Sequence, residues 1–192
     1  MSGDHAEVPV AARVRALEER LIAAGLATDA EFDEVLTQVY HSASPVNGAR
    51  MVARAWTDPG YRARLLADGN AAAAELGLPA GDYRLTAVAN TPRLHNLVVC
   101  TLCSCYPTAL LGPSPSWYKS FAYRSRAVRE PRAVLAEFGV DLPGGTEIQV
   151  WDANSETRYL VLPLPPPGAG GMAVSELMAL VTREGLVGTA VH

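Results

Sequence analysis

The sequence predicts a mixed α+β fold: an N-terminal helical arm over residues 1–78, followed by an α/β layered domain over residues 79–192 that carries a cysteine claw. Three observations predict it. Apolar residues recur at helical spacing in the first part and in short β-branched runs in the second. Capping residues and prolines stand where helices should start. All three cysteines fall between Cys100 and Cys105, directly after the apolar run Leu97-Val98-Val99.

The elements follow in order. Val10, Val14, Leu17 and Leu21 form a narrow apolar stripe on a helix over 10–26, flanked by Arg13, Arg15, Glu18, Glu19 and Arg20. That stripe packs either on its own domain or on another subunit. Thr28 opens a second helix through a capping box with Glu31, carrying Phe32, Val35, Leu36 and Val39 on one face, and Pro45 is expected to end it. A third helix is expected from about Asn47 to Trp56, and Asp58-Pro59 supplies a cap and a first-turn proline for a fourth through Leu66. Asn70 is expected to cap a short helix from Ala71 to Leu76, closed by Gly77. Beyond Pro79 the pattern shortens to strands at 83–88 and 97–99. Residues 107–116 read as a loop, Pro131 opens a helix through Phe138 that Gly139 stops, and strands at 147–151 and 158–162 flank a turn. The stretch Pro165–Gly171 lacks the lysine and strand-to-helix context of a phosphate loop and reads as a linker before a last helix over 174–183.

Composition narrows the function. A formal net charge of −4 with no basic stripe argues against nucleic acid as a partner. Residues 1–10 lack the basic and apolar regions of a secretory signal, and no apolar stretch approaches membrane-spanning length. A cytoplasmic protein with no membrane association is expected, and clustered cysteines without distant partners suit a reducing compartment.

Three thiols at CxxCxC spacing are too close to staple a fold, because a disulfide stabilises by closing a loop. They are better placed as soft donors to one metal. If the backbone nitrogens of Ser104 and Cys105 lose their protons, both join the sulfurs and close five- and six-membered chelate rings. Five donors then leave one octahedral position open, which a catalytic metal requires. Zinc gains little from such a cage, since a tetrahedron of side chains satisfies it. Spacing alone leaves three readings: a catalytic or redox metal held by Cys100, Cys103, Ser104 and Cys105, a structural zinc completed by His95, or thiols acting as small apolar side chains.

The core VCTLCSC, preceded by NTPRLHNLV and followed by WYK, YRSR, VREPRAVLAEFG, VWD and RYLVLP, resembles the α subunit of nitrile hydratase from about Arg13 to about Thr189. The resemblance implies a hydro-lyase that converts a nitrile to its amide at a non-corrin cobalt, as Co(III). Thr101 is similar to the cobalt branch, where the iron branch usually has Ser. It also implies Cys103 as a sulfinate, Cys105 as a sulfenate and Cys100 as a plain thiolate, rungs of the ordinary oxidation ladder held by the metal. Cys105 and Ser104 are then the catalytic residues. The nucleophile is either hydroxide or the Cys105 sulfenate oxygen, and the Ser104 hydroxyl faces a β-subunit tyrosine.

The implied partners are a β subunit, in one chain or split into two, a metallochaperone or activator, and a small-molecule nitrile. In that family the arginines that bind the oxidised cysteines belong to the β subunit, and the N-terminal helices reach over it. This chain alone is therefore expected to be inactive, and Arg124, Arg126 and Arg129 receive no such role. The resemblance makes Thr108 and Trp117 pocket-lining. Thr108 and Ala109 stand where bulkier residues are common, which points to a wider pocket and a heteroaromatic nitrile as in the toyocamycin-type branch. The Leu111–Pro115 segment and Ala89 also depart from the family pattern. The γ subunit of thiocyanate hydrolase shares the claw but tends to carry Arg at the Thr108 place, and a non-catalytic zinc or assembly module is the remaining alternative.

Overall fold

The computed structural model describes residues 9–79 and 81–191, and only the backbone of residues 39–41. The signal-sequence expectation on residues 1–8 and the Val39 side chain lie outside the described residues. The chain divides into two compact units, parted between His41 and Ser42.

The first unit holds α1 (Val10–Ala23) and most of α2 (Asp29–Ser42). The capping box is present: Thr28 N donates to Glu31 Oε2 at 2.8 Å and Glu31 N to Thr28 Oγ1 at 3.2 Å. Val10, Val14 and Leu17 are exposed, so the α1 stripe covers no core of its own.

The second unit is helical and then layered. Pro45 does not merely end α2, because it is the first residue of α3 (Pro45–Thr57) under the Ser44 N-cap. Proline lacks the N–H that a first turn leaves unpaired, so it serves there at no cost. Asp58 caps α4 (Pro59–Ala67) through Tyr61 N at 2.9 Å, as expected. The cap of α5 (Gly69–Glu75) is Asp68, which accepts from Ala71 N, and not Asn70. Asn70 is drawn to the strand beside it, where its amide pairs with Tyr83 O and Leu85 N at 2.9 and 2.7 Å. Helices α3–α5 share one buried core with the strands that follow: Met51, Val52, Tyr61, Leu65 and Ala73 lie in a single cluster with Leu85, Leu97, Val98 and Leu160.

Strands β1 (Arg84–Ala89), β2 (Leu94–Val99), β3 (Glu147–Asp152) and β4 (Thr157–Leu162) form two parallel pairs, β1 with β4 and β2 with β3. Parallel strands need crossover connections and are covered on both faces, so β2 is buried from His95 onward. Between β2 and β3 run α6 (Thr108–Leu111), α7 (Ser116–Lys119), α8 (Phe121–Arg126) and α9 (Pro131–Glu137). The expected 107–116 loop therefore contains helical turns. The 165–171 linker closes with a 3-10 turn at Ala169–Gly171, and α10 (Val174–Leu180) stops short of the expected Arg183. Among the described residues no helix is long and apolar enough to cross a membrane.

At the amino end of β2, His95 is buried with both ring nitrogens engaged. Nε2 lies 2.7 Å from Gly188 O and Nδ1 3.4 Å from the Asn90 amide nitrogen. Burial holds this imidazole below the ordinary histidine pKa of 6.5, because the charged form loses hydration that one carbonyl only partly replaces. The unfolded chain then takes up a proton that the folded chain refuses. The stabilisation is full above about pH 6.5 and is lost as pH falls through the lowered folded value. The melting temperature should fall between about pH 7.5 and 5.5, and H95Q should flatten that slope. An identical slope in H95Q would remove His95 as its cause.

Candidate metal centre

The claw leaves the sheet at the carboxyl end of β2, where ligands sit in parallel α/β layers. Val99 pairs with Asp152, and Ala153 N still donates to Val99 O at 2.7 Å, so the ladder is intact up to the residue before Cys100. Cys100 is fully buried, Cys105 half-buried and Cys103 exposed. Their three sulfurs lie within 4.8 Å of one another, with Cys100 and Cys103 at 3.3 Å and Cys103 and Cys105 at 3.0 Å. Two sulfurs about 2.3 Å from one metal are about 3.2 Å apart at a right angle and about 3.8 Å apart at a tetrahedral one. The observed spacings fit the right angle.

The electrostatics of the cluster are uneven. Hydrogen bonds from the Cys105 and Cys100 sulfurs, then from the backbone of Ser104 and Cys105, lower the Cys103 thiol to about 7. Burial, followed by the hydrogen bond to Cys103, raises Cys105 to about 12, although Arg158 pulls it the other way. Of these two thiols Cys103 is the more acidic, and thiolate is the form that ligates. Within the loop, Cys103 N donates to the Cys100 sulfur at 3.3 Å.

Four side chains from elsewhere hold this loop. Asp152, the last residue of β3, accepts from Thr101 N at 2.9 Å and from Thr101 Oγ1 at 2.6 Å. Arg124 donates from Nη1 to Cys103 O at 2.9 Å. Tyr118 donates to Cys105 O at 3.0 Å, and Tyr123 to Val98 O at 2.6 Å. Burial pushes both phenols well above their ordinary pKa, so they remain donors. Trp117 is half-buried edge-on to Tyr123 and Phe138, with ring centroids 4.9 and 4.8 Å away. Thr108 is half-buried at the start of α6, Ser104 is half-buried between its cysteines, and Leu102 and Phe121 are 87% and 78% exposed.

His95 is not part of the cluster. It lies five residues before Cys100 on an extended strand, about 16 Å away, with its nitrogens already bonded, which removes the zinc site it was to complete. Arg124, Arg126 and Arg129 also part company. Arg126 pairs with Glu130 and Glu137, and Arg129 bonds Ser125 O. Sequence reasoning missed Asp152, Tyr118, Tyr123 and the contact made by Arg124. Their motifs were visible as VWD, WYK and YRSR, but nothing local tied them to the claw.

Residues 8–190 match the family model described as nitrile hydratase, alpha chain. The chain is similar to the cobalt-containing nitrile hydratase subunit alpha of Pseudonocardia thermophila, at 46% identity over 97% of this chain and 93% of that one. It is also similar to the thiocyanate hydrolase subunit gamma of Thiobacillus thioparus, at 43% identity over 92% of this chain and 77% of that one. Among solved structures, a double mutant of the Fe-type nitrile hydratase from Comamonas testosteroni Ni1 superposes with a TM-score of 0.89, at 41% identity over 95% of this chain and 89% of that one.

Proposed function

The chain belongs to the nitrile hydratase α-chain family, and from that premise we propose that it is the metal-bearing subunit of an enzyme that hydrates a nitrile to the amide. The observation that carries this reading is the set of three sulfurs within 4.8 Å of one another, with two of their three spacings fitting ligation at right angles. The donor set fits a six-coordinate metal. Cys100, Cys103 and Cys105 would hold it by sulfur, and Ser104 and Cys105 by nitrogen. Cobalt, as Co(III), is the proposed ion, and when bound it supplies a Lewis acid with one open position.

The chain's own residues do the rest. Cys103 is carried as sulfinate and Cys105 as sulfenate, and the sulfenate oxygen either attacks the nitrile carbon, with a water then attacking the Cys105 sulfur to break its S–O bond, release the amide oxygen and restore the sulfenate, or takes the proton of an attacking water. Both routes add one water across the C≡N bond, oxygen to carbon and two hydrogens to nitrogen. The Ser104 hydroxyl orients that oxygen. Thr108 and Trp117 line the pocket, and the small Thr108-Ala109 pair suits a heteroaromatic nitrile.

The exposed Leu102 within the claw, the exposed Phe121 at the start of α8 and the exposed stripe on α1 support a β subunit closing the site and receiving the arm. That β subunit is one chain or two, a metallochaperone loads the cobalt, and the complex works in the cytoplasm.

The test is metal content together with the mass of the Cys100–Cys105 peptide, measured on the complex co-expressed with its neighbouring subunits. One cobalt per chain, three added oxygens and turnover of a cyano-heterocycle above acrylonitrile support the reading. Zinc with unmodified cysteines sinks it. Thiocyanate hydrolysis is the second reading, favoured by the γ-subunit relative, and thiocyanate turnover exceeding that of every nitrile would establish it.

Asp152 gives a further expected result. Its two bonds to Thr101 fix the entry of the claw, so D152N should lose cobalt to a chelator about tenfold faster than wild type. Equal loss rates would show that the Thr101 tie does not set metal retention.

A further inference from the structure

Arg124 does something at the claw that a surface arginine does not. Its Nη1 donates to Cys103 O at 2.9 Å and lies 3.5 Å from Thr101 O, so one guanidinium gathers two carbonyls of the loop. Its Nε is buried and has no hydrogen-bond partner among the described residues. No carboxylate among the described residues is paired with it, whereas Arg126, two residues on, is held by Glu130 and Glu137. The Arg124 charge is therefore directed at peptide oxygen.

Which peptide it meets matters. Cys103 O belongs to the peptide group whose nitrogen is Ser104 N. That group is planar and trans, so its carbonyl and its nitrogen point in opposite directions. Holding the oxygen toward Arg124 turns the nitrogen to the side away from the guanidinium, and the Ser104 N–H contributes to the lowering of the Cys103 thiol. A peptide that gives its nitrogen to a metal also gathers negative charge on its oxygen, and a charge-assisted hydrogen bond from a poorly hydrated guanidinium offsets it.

We infer that Arg124 is the positioning residue of the claw: it holds the Cys103–Ser104 peptide with its nitrogen toward the sulfurs and neutralises the charge that this peptide carries as a metal donor. The inference rests on the metal reading above, and it assigns to this chain a cation that serves the backbone donors.

The experiment uses the full chain co-expressed with its β subunit, as wild type, R124K, R124Q and R129Q. Its readouts are cobalt per chain, the sulfur-to-cobalt absorption bands, the count of nitrogen donors by X-ray absorption, and far-UV circular dichroism as a check on folding. R124Q keeps a donor but no charge, so it should fold, hold about tenfold less cobalt and show shifted bands with fewer nitrogen donors. R124K keeps the charge and should recover most of the cobalt and the wild-type bands. R129Q, whose arginine bonds Ser125 O away from the claw, should match wild type. R124Q with wild-type cobalt and bands overturns the inference while leaving the metal reading intact. Should R124Q not fold, R124K decides, since a folded R124K lacking nitrogen donors overturns the inference and one retaining them supports it. Wild type holding its metal through sulfur alone overturns the metal reading, and this inference falls with it.

Discussion

C105A is expected to lower cobalt to less than about a tenth of wild type and turnover on the order of a thousandfold, more than the 10–100-fold typical of losing an outer partner. Cys105 is asked to supply two of the five donors, its sulfur and its nitrogen, and the oxygen that faces the substrate. Alanine keeps the nitrogen and loses the rest. The fold should hardly notice, because Cys105 is half-buried and lies beside the core, so a stability change within about 1 kcal/mol is expected. Cys100 is the contrast. It is fully buried within the core cluster, so C100A should lose the metal and stability together. Cobalt analysis, nitrile turnover and denaturant melts separate the two cases. Full cobalt and full turnover in C105A would falsify the ligand set.

The largest effect on folding is expected from G188A. Gly188 has φ +87°, a conformation that costs any residue with a Cβ about 1–2 kcal/mol. Space is the greater obstacle. A Cβ at this position collides with the carbonyl oxygen of Asn96 and lies 3.1 Å from Leu97 Cα, both backbone atoms of β2. They cannot retreat without disturbing the register with β3, where Asn96 pairs with Gln149 and Leu97 with Val150. The Gly188 carbonyl also accepts from His95, so a shift there unseats a buried histidine. A loss of about 3–5 kcal/mol is expected, a large share of the roughly 5–15 kcal/mol that stabilises a domain, with the melting temperature falling by about 10 °C or more. G144A is the control. Nothing lies within 4 Å of a Cβ at Gly144, and its change should stay within about 0.5 kcal/mol. Equal melting of the two variants would show that the Gly188 contact is relieved at little cost.

What was legible in the chain was what is local. The three cysteines and the two backbone nitrogens lie within six consecutive residues, so the proposed donor set could be written down before any fold was known. The Thr28 box and the Asp58-Pro59 start were equally local and stand as expected. The supports of the claw were not legible, because Asp152 reaches Thr101 across 51 residues, Arg124 reaches Cys103 across 21 and Tyr123 reaches Val98 across 25. Pairing over such spans is set by the parallel register and by helix packing. Helices α6 to α8 escaped notice for another reason: at four to six residues each, they are too short to show a period. Asn70 was misjudged as a cap because a neighbouring strand outbid the helix for its amide, a competition visible only in three dimensions.

The parallel pairing of β2 with β3 also sets a timetable. During synthesis the thiols emerge well before Asp152, the residue that ties Thr101 down, and contacts across 51 residues form slowly. For that interval the Thr101 end of the loop lacks its tie, whereas the partners of Cys105 O and Cys103 O, Tyr118 and Arg124, are already made. For the metal proposed above, the order of synthesis favours delivery of the ion after the second strand has docked.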